Sequence, residues 1–400
     1  MEKWRKHIPY YVLELIILIG MIFALCVVNK ATKMQKVNLD KDKIKVNEMA
    51  TAGENGSEGN LNSDGSTDLA GTGDSDWSGD FDDGTFIADN SKEKPEEDLV
   101  DTKALEKELS DKYNGKFTMA FFGVDSRDRQ LGAGTRSDSI MVCDVDLNLH
   151  KIKLVSIYRD TYLNVGDDYY DKCNAAYGAG GPERALSMIN TNLDLYVTDY
   201  ITVGFQGLID SIDALGGIPV EVTEDEIFHL NNYQMCMAEE LDVPYTPVVY
   251  PGMQMLNGLQ ATAYCRIRYG TGSDFRRAER QRSVIEAMLK RSKNVSVSSL
   301  TNALSAILPN VQTSLDVKDL VSMMRLAGNY EIAVSEGFPF KDKLNGANLK
   351  PGQCVIPTSL EANVIELHKL LYGENNYEPS NTVKEYSKHI ENATKGSLLW

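Results

Sequence analysis

The hydrophobic and polar positions divide the chain into an apolar run, a long polar segment and a region of regular alternation. Residues 10–28 are apolar except for Glu14, and as a helix they would be roughly 28 Å long, close to the hydrocarbon thickness of a bilayer. Residues 29–112 have few apolar positions and no sustained period, which is typical of a disordered linker. Regular alternation begins only after this segment. We therefore expect a folded domain over residues 113–375 and a polar tail over 376–400.

The apolar run is predicted to be an uncleaved transmembrane helix that follows a short N-terminal segment, residues 1–9. A cleaved signal peptide is the alternative, but the residues before Cys26 lack the small side chain that lipoprotein cleavage needs. Lysines and arginines flank both ends of the run, so the charge bias does not fix its orientation. The linker that follows would hold the folded domain away from the membrane or let it return.

Strand and helix periods alternate within the folded region. Short apolar runs predict three strands, at 117–124, 139–145 and 151–157, and the last two should pair as a hairpin. Helical periods are predicted at 182–192, 205–215 and 273–289. A Gly-Gly-Pro sequence opens the first helix and a Gly-Gly pair ends the second. The apolar stripes of these helices belong either to the core or to a groove for a lipid chain.

The charge of the chain is unevenly distributed. The net charge is -17, and residues 54–98 hold 14 aspartates and glutamates against two lysines, so most of the excess lies in the predicted linker. The sequence pI near 4.8 argues against general nucleic-acid binding, which needs a basic surface and not one basic pocket.

The six cysteines and five histidines give no recognisable metal site. No two cysteines have zinc or thioredoxin spacing, and most of them interrupt apolar stretches. This favours buried free thiols, with disulfides as the alternative. Nothing in the order of residues indicates a serine triad, although one assembled in space stays open.

Six arginines are concentrated between residues 264 and 282. Arg266 and Arg268 alternate with apolar neighbours, as on a strand with one buried face, so both side chains should leave the same side. On the helix that Ser273 or Asp274 would cap, Arg277 and its i+4 neighbour share one face, with another arginine close by.

This arginine cluster is interpreted as a cradle for phosphate or pyrophosphate. Guanidinium groups grip phosphate oxygens with two hydrogen bonds, and the N-H groups at a helix start favour an anion. Arg277 and Gln281 would face the anion from the helix, and Arg280 would lie near them. A solvated basic helix face is the alternative.

Three predicted strand ends each present an arginine together with an aspartate. The pairs are Asp125 with Arg127, Arg136 with Asp138, and Arg159 with Asp160. One such pair is commonly a structural ion pair, but three of them beside an arginine cluster indicate a functional site.

Taken together, six short motifs resemble the LytR-CpsA-Psr family in order and spacing over residues 116–292. They are Gly123-Val124-Asp125-Ser126-Arg127, Arg136-Ser137-Asp138, Ser156-Ile157-Tyr158-Arg159-Asp160, Asn174-Ala175-Ala176-Tyr177 with Gly180-Gly181-Pro182, Asp213-Ala214-Leu215-Gly216-Gly217, and the block from Arg266 to Gln281. The family commonly has proline where Tyr158 stands, which puts the backbone before Arg159 in question.

The resemblance implies a three-layer α/β/α sandwich with a central mixed sheet. It also implies a single-pass membrane protein of Gram-positive bacteria whose catalytic domain is extracellular. Such an enzyme transfers a glycopolymer, of the teichoic acid or capsule type, from an undecaprenyl-pyrophosphate carrier to a peptidoglycan hydroxyl. It would have no nucleic-acid partner.

The resemblance also assigns roles to residues. Asp125 and Asp138 match magnesium-binding aspartates, for which Mg²⁺ or Mn²⁺ would be the cofactor because both prefer hard oxygen ligands. Five positions match pyrophosphate-binding residues: Arg159, Arg266, Arg268, Arg277 and Gln281. Arg127 and Arg136 also fall on motif positions and are added to the expected pyrophosphate site, with roles that are less settled. Arg159, Asp274 and Arg277 are the expected catalytic residues, with Asp274 either the general base or a plain helix cap.

Two other functions use the same residues. A hydrolase would act as a pyrophosphatase on prenyl or nucleotide diphosphates and would differ only in using water as the acceptor. A non-catalytic protein would bind lipid-linked glycans without changing them. A regulator that binds DNA would need a basic reading element, and the sequence has none that we recognise.

Overall fold

The computed structural model describes residues 35–48, 102–126, 130–268, 273–293, 295 and 307–399. The predicted transmembrane run and most of the predicted linker lie outside these residues, as does Arg127. Among the helices of the described ranges, none combines the length and the apolar character that crossing a bilayer requires.

A seven-stranded mixed sheet forms the centre of the domain, in the order β1-β10-β7-β2-β3-β4-β11. Strand β3 pairs antiparallel with β2 on one side and with β4 on the other. The pairs β2 with β7 and β4 with β11 are parallel. The sheet strands are β1 (Gln35–Lys36), β2 (Lys116–Val124), β3 (Ser137–Asp146), β4 (Lys151–Ile157), β7 (Asp199–Gly204), β10 (Val311–Thr313) and β11 (Glu331–Phe338). The three predicted strands and their hairpin are confirmed.

Three two-stranded hairpins, nine α-helices and three short 3-10 helices complete the described part. The hairpins are β5 (Tyr162–Asn164) with β6 (Tyr170–Lys172), β8 (Ile218–Val222) with β9 (Gly252–Leu256), and β12 (Leu344–Leu349) with β13 (Gly352–Pro357). The helices are α1 (Thr102–Lys112), α2 (Ala175–Leu193), α3 (Phe205–Ala214), α4 (Glu224–Leu241), α5 (Gly258–Arg266), α6 (Ser273–Ser292), α7 (Val317–Leu326), α8 (Leu360–Tyr372) and α9 (Asn381–Thr394).

Alternate residues of the central strands bury their side chains on opposite faces of the sheet. On one face Ala120 and Phe122 of β2 pack against helices α2, α8 and α9. On the other face Met119 and its neighbours Met141 and Leu154 pack against α1 and α7. Helices therefore cover both faces of a mixed sheet, which confirms the expected layered α/β architecture.

Helix α2 contains a break at the predicted Gly-Gly-Pro sequence. Gly180 and Gly181 have non-helical backbone angles, and Gly181 has a φ of 64°, a conformation that favours glycine. Pro182 then takes the first position of the continuing helix, where its missing N-H costs nothing. The prediction that a helix opens here is confirmed, and a short helical turn that was not predicted precedes it.

Two segments of the predicted disordered linker are folded, which corrects that prediction for residues 35–48 and 102–112. Residues 35–36 form β1, Ile44 is buried in the core, and Asn47 donates hydrogen bonds to Asp194 and Ser380. Helix α1 covers the last part of the same segment. The predicted linker therefore contains folded segments on both sides of residues 49–101, which lie outside the described residues.

The expected polar tail also contains a folded element. Helix α9 spans Asn381–Thr394 and buries Val383 and Ile390 completely against the core. Its polar composition conceals an amphipathic helix, because only one face of α9 meets the core.

Among the described cysteines no disulfide forms. Four are buried free thiols, as predicted, and Cys236 is exposed. The four buried ones are Cys143, Cys173, Cys265 and Cys354.

Candidate functional site

Arg266 and Arg268 do not lie on a strand, and that prediction is wrong. Arg266 is the last residue of α5, whose start is fixed by a capping box between Asn257 and Gln260. The alternation around Arg266 covers only a few residues, so the capped and fully buried helix before it determines the local structure. Ile267 then takes an extended conformation and leads to Arg268.

Helix α6 carries the second part of the arginine cluster and begins at Ser273, so Asp274 lies in its first turn. Arg277 and Gln281 line the same cavity, as predicted for one helix face. Arg280 does not join them. Its Nε donates to Glu226 Oε1 at 2.7 Å and its Nη1 donates to the Ile267 carbonyl at 3.1 Å, so this arginine is buried in a structural ion pair.

Asp138 lies where the arginines of both segments meet. Its carboxylate accepts a hydrogen bond from Arg159 at 2.6 Å on one oxygen and from Arg268 at 3.2 Å on the other. Arg277 donates to its main-chain carbonyl at 3.3 Å. Gly123 pairs with Ser139 and Val124 pairs with Ser137, so Asp138 is left as the extra residue of a β-bulge. A bulge of this kind redirects a side chain.

Arg277 is a buried cation with unused hydrogen-bond donors. The residue is 4% exposed, and its Nη2 lies 3.3 Å from Asp274 Oδ1. Its Nε and Nη1 are buried without a hydrogen-bond partner among the described residues. Burial lowers the pKa of Arg277 below its usual value, although Asp274 partly offsets this effect. A buried guanidinium with two free donors calls for an anion that the protein itself does not supply.

Asp160 and Asp274 form a carboxylate pair that the sequence did not reveal. Burial raises the pKa of Asp274, the Asp160 carboxylate raises it further, and Arg277 and Arg159 offset this only in part. Burial would also raise the pKa of Asp160, but hydrogen bonds from Asp274 and Lys172 hold it below its usual value. Of the two carboxyls, Asp274 is therefore the one that takes up a proton first as the pH falls, while Lys172 Nζ stabilises the Asp160 carboxylate from 2.9 Å.

Tyr158 takes the position where the family commonly has proline, and its ring packs against the first turn of α6. Its N-H donates to the Phe338 carbonyl at 2.9 Å, a bond that proline cannot make. Its ring packs edge-on against Phe275 with centroids 4.6 Å apart. A side chain at Gly337 would collide with the Tyr158 ring, so this tyrosine requires that glycine. Contacts of Tyr158, and not a proline ring, therefore fix the backbone before Arg159.

Arg266 stands apart from the carboxylates. Its guanidinium lies 4.6 Å from the ring centroid of Phe205 and 5.6 Å from that of Tyr233. These cation-π contacts orient the guanidinium without neutralising it. In the described part of the chain it forms no ion pair, so its charge stays available to a ligand.

An apolar cavity of about 500 Å³ begins at these arginines. Along α6 its lining passes from Arg277 and Gln281 through Val284 and Ile285 to Met288. Eleven residues of helix correspond to roughly 17 Å, so the cavity is elongated. Its opposite walls are the sheet face that carries Met119 and Met141, with α7 closing it further on, and almost all of these lining groups are apolar.

Two further predicted residues, Asp125 and Arg136, form no ion pair with the arginines or carboxylates described above, and Arg127 lies outside the described residues. Asp125 is exposed and directly follows Val124, which pairs beside Asp138, so both aspartates occupy the same end of neighbouring strands. Arg136 is exposed, and its side chain lies beside Gly178.

The two aspartates suit a divalent cation by their chemistry but would supply few of its ligands. Within the described ranges no three His, Cys, Asp or Glu side chains are grouped as a metal site. Carboxylate oxygens are the ligands that Mg²⁺ and Mn²⁺ prefer, and Mg²⁺ is commonly held by one or two carboxylates plus substrate phosphates. Both Asp138 oxygens contact arginines here, so a cation would compete with Arg159 and Arg268.

The fold and the cavity define an α/β protein whose site suits an anion attached to a long apolar chain. Guanidinium donors stand at one end of the cavity and apolar side chains line the rest. The sequence profile of the LytR_cpsA_psr family matches residues 84–346. The chain belongs to this family.

Individual relatives are similar over about half of the chain or slightly more. Biofilm regulatory protein A of Streptococcus mutans is 30% identical over 257 residues, which are 61% of this chain and 61% of the relative, so the chain spans less than two thirds of it. Two proteins named polyisoprenyl-teichoic acid–peptidoglycan teichoic acid transferase TagU are also similar. That of Enterococcus faecalis is 31% identical over 58% of this chain and 70% of its own. That of Halalkalibacterium halodurans is 35% identical over 54% and 65%.

Solved structures show the same fold. A protein of Streptococcus agalactiae superposes with a TM-score of 0.55 at 26% identity, over 68% of this chain and 92% of that one. A protein of Enterococcus faecalis described as a transcriptional regulator gives a TM-score of 0.55 at 22% identity, over 74% and 99%.

Proposed function

We propose that the protein is a membrane-anchored transferase that moves a glycopolymer from a polyprenyl-pyrophosphate carrier to a hydroxyl of peptidoglycan. The observation that carries this proposal is Arg277. It is a buried guanidinium at the end of an elongated apolar cavity, and two of its donors have no partner in the part of the chain that the structure describes. A diphosphate joined to a prenyl chain satisfies both features at once, because its oxygens accept the free N-H groups and its hydrocarbon fills the cavity.

The relatives' names support the proposed substrate class. Relatives at 31% and 35% identity are named polyisoprenyl-teichoic acid–peptidoglycan teichoic acid transferases. By analogy, the donor would be an undecaprenyl-pyrophosphate-linked polymer of the teichoic acid or capsule type. Residues 10–28 would anchor the enzyme, and its folded domain would lie on the extracellular side, where such donors meet peptidoglycan.

The transfer requires three events at one phosphorus atom. The acceptor oxygen bonds to the phosphorus that carries the sugar, the bond from that phosphorus to the bridging oxygen breaks, and polyprenyl phosphate leaves. Arg159, Arg268 and Arg277 would neutralise the charge that develops on the phosphate oxygens. The acceptor hydroxyl loses its proton to a base.

Asp274 is our candidate for that base. It contacts both Arg159 and Arg277, with atom separations of 3.6 Å and 3.3 Å, so its carboxylate lies beside the groups that would hold the phosphates. Its raised pKa suits a proton acceptor better than that of an ordinary aspartate. Asp160, held ionised by Lys172, would keep the accepted proton on Asp274.

A divalent cation would complete the site. Asp125 and Asp138 are the residues that would hold Mg²⁺ or Mn²⁺, and the cation would supply further positive charge to the diphosphate. Arg159 and Arg268 would then turn from Asp138 to the phosphate oxygens.

Mass spectrometry of the products tests the proposal. The full chain in detergent is incubated with Mg²⁺, a prenyl-pyrophosphate-linked glycan and peptidoglycan fragments. We expect the glycan phosphate to appear on the fragment. Free glycan phosphate or inorganic phosphate would show a pyrophosphatase instead. An unchanged donor that nevertheless binds tightly would show a binding protein without catalysis.

A further inference from the structure

A second cavity, of about 220 Å³, adjoins the candidate site. It lies between the first turn of α3, the end of α4 and Asn310. Ser126, which follows the predicted metal ligand Asp125, also lines it. Nothing in the proposed reaction described so far uses this cavity.

Helix α3 separates the two cavities. Leu208 and Ser211 line the apolar cavity, whereas Gln206 and Gly207 line the small one, so the helix presents different faces to each. Gly204 and Phe205 line both cavities, and Phe205 is the ring under the Arg266 guanidinium. A molecule in the small cavity would therefore be separated from the arginine cluster by little more than one side chain.

The small cavity offers both donors and acceptors of hydrogen bonds. No side chain caps the start of α3 at Gly204, so the first N-H groups of this helix can donate. Asn310 is 6% exposed, and its Nδ2 donates to Asp210 at 2.6 Å, but its buried Oδ1 has no partner among the described residues. This unpartnered oxygen is an independent sign of a missing ligand with a donor group.

The chemistry of the lining favours a neutral ligand with several hydroxyl groups. Gln206 and Asn310 contribute amide oxygens, because their amide nitrogens donate to Asp210 at 2.7 Å and 2.6 Å. Glu240 contributes a carboxylate, while Phe205 and Met237 contribute apolar surface. Among the residues that the structure describes, no lysine or arginine lines the cavity. The volume is below the roughly 300–1,000 Å³ that is usual for drug-sized ligands, so it suits a single ring.

We propose that this cavity binds a neutral N-acetylated sugar ring of the acceptor glycan. In phosphoryl transfer the attacking and leaving oxygens lie roughly in line with the phosphorus. The prenyl phosphate would leave toward the apolar cavity, so the acceptor would approach from the side away from it, and the small cavity lies across α3 from the apolar one. This inference rests on the proposed function for the identity of the ring, because peptidoglycan is the acceptor named there.

Direct binding of a neutral sugar tests the cavity independently of catalysis. The probe is chitotetraose, titrated by calorimetry and saturation-transfer NMR into the full chain in detergent. Gln206→Leu keeps the side-chain size but removes the amide, and Glu240→Gln removes a charge from an exposed position. Glu239→Gln is the matched control, because this exposed neighbour on α4 does not line the cavity.

We expect chitotetraose to bind the wild type and the Glu239→Gln control equally. Loss of one neutral hydrogen bond should weaken binding about fivefold in Gln206→Leu, and loss of a charged one about tenfold or more in Glu240→Gln. No binding by the wild type, or equal binding by all variants, would overturn the proposal.

Kinetics then separates the acceptor from the donor. If transfer is observed, both cavity variants should raise KM for peptidoglycan fragments and leave KM for the lipid-linked donor within about twofold. A raised donor KM with an unchanged acceptor KM would overturn the assignment to the acceptor. If transfer is not observed but chitotetraose binding depends on Gln206 and Glu240, the proposed function fails while the sugar site stands.

Discussion

Replacing Arg277 with alanine should remove most of the affinity for a prenyl diphosphate without weakening the fold. In the free protein this side chain uses Nη2 for Asp138 and Asp274, and it leaves Nε and Nη1 without partners among the described residues. The two unused donors can contribute only when a ligand is bound. Arg277→Ala therefore separates ligand binding from stability.

The magnitude follows from those two donors. A hydrogen bond to a charged group contributes about 1.5–3 kcal/mol, so two of them give about 3–6 kcal/mol as an upper range. This corresponds to a loss of affinity of about 10²–10⁴-fold. Burial already lowers the pKa of Arg277, which means that the buried charge opposes folding. Its removal should leave the melting temperature of the unliganded protein unchanged or slightly higher.

Calorimetry with geranylgeranyl diphosphate and thermal unfolding with and without this ligand measure both effects. Arg276→Ala is the matched control, because this exposed arginine on the same helix removes equal charge and should leave binding unchanged. Arg280→Ala is the structural contrast. It breaks the buried pair with Glu226 and should cost about 3–5 kcal/mol of stability. Unchanged binding together with a large loss of stability in Arg277→Ala would refute the reasoning.

Three further predictions concern the cation, the carboxylate pair and the folded N-terminal segment. Calorimetry should show Mg²⁺ binding that is strengthened by a diphosphate ligand and lost in Asp138→Asn, and equal Mg²⁺ affinity in both proteins would argue against the metal site. The raised pKa of Asp274 predicts an acid limb of kcat/KM with an apparent pKa above 3.8, the ordinary aspartate value, and a limb that persists in Asp274→Asn would exclude it as the base. Because its neutral form is favoured in the folded protein, this carboxyl contributes stability below pH 3.8 and loses that contribution as the pH rises, so Asp274→Asn should be relatively more stable at neutral pH. Deleting residues 35–48 should lower the melting temperature because β1 and buried Ile44 are lost, whereas deleting residues 54–98 should not, and equal effects would contradict a structural role of the folded N-terminal segment.

The sequence predicted those parts of the fold that local periodicity determines. The strands at 117–124, 139–145 and 151–157 alternate over enough residues to show their period, and α6 shows a helical stripe. The strand prediction around Arg266 was wrong because it rested on four alternating residues and ignored the capped helix before them. Short patterns of this kind are decided by their neighbours.

Elements that depend on distant partners were not predictable in this way. Two-residue β1 is a strand only because it pairs with β10, more than 270 residues later in the chain. Asn47 is fixed by Asp194 and Ser380, and α9 is amphipathic only when the face that carries Val383 is known to meet the core.

The candidate site was predictable in its residue types and less so in its pairings. The arginines and Asp138 do gather at one place, but Asp138 pairs with Arg159 and Arg268 instead of its sequence neighbour Arg136. Arg280 turns to Glu226, which lies on a different helix. The Asp160–Asp274 pair joins residues far apart in the chain. In the sequence, only the nearby arginines Arg159 and Arg277 point to these two aspartates.

A crystal structure of the full chain with geranylgeranyl diphosphate and Mg²⁺ tests the central claim most directly. The account predicts diphosphate density within hydrogen-bond distance of Arg277 Nε and Nη1, which have no partner among the described residues, and near Arg159 and Arg268. It also predicts that the prenyl chain lies along α6 toward Met288 in the apolar cavity. A diphosphate bound elsewhere, or a prenyl chain on the protein surface with the cavity empty, would contradict it.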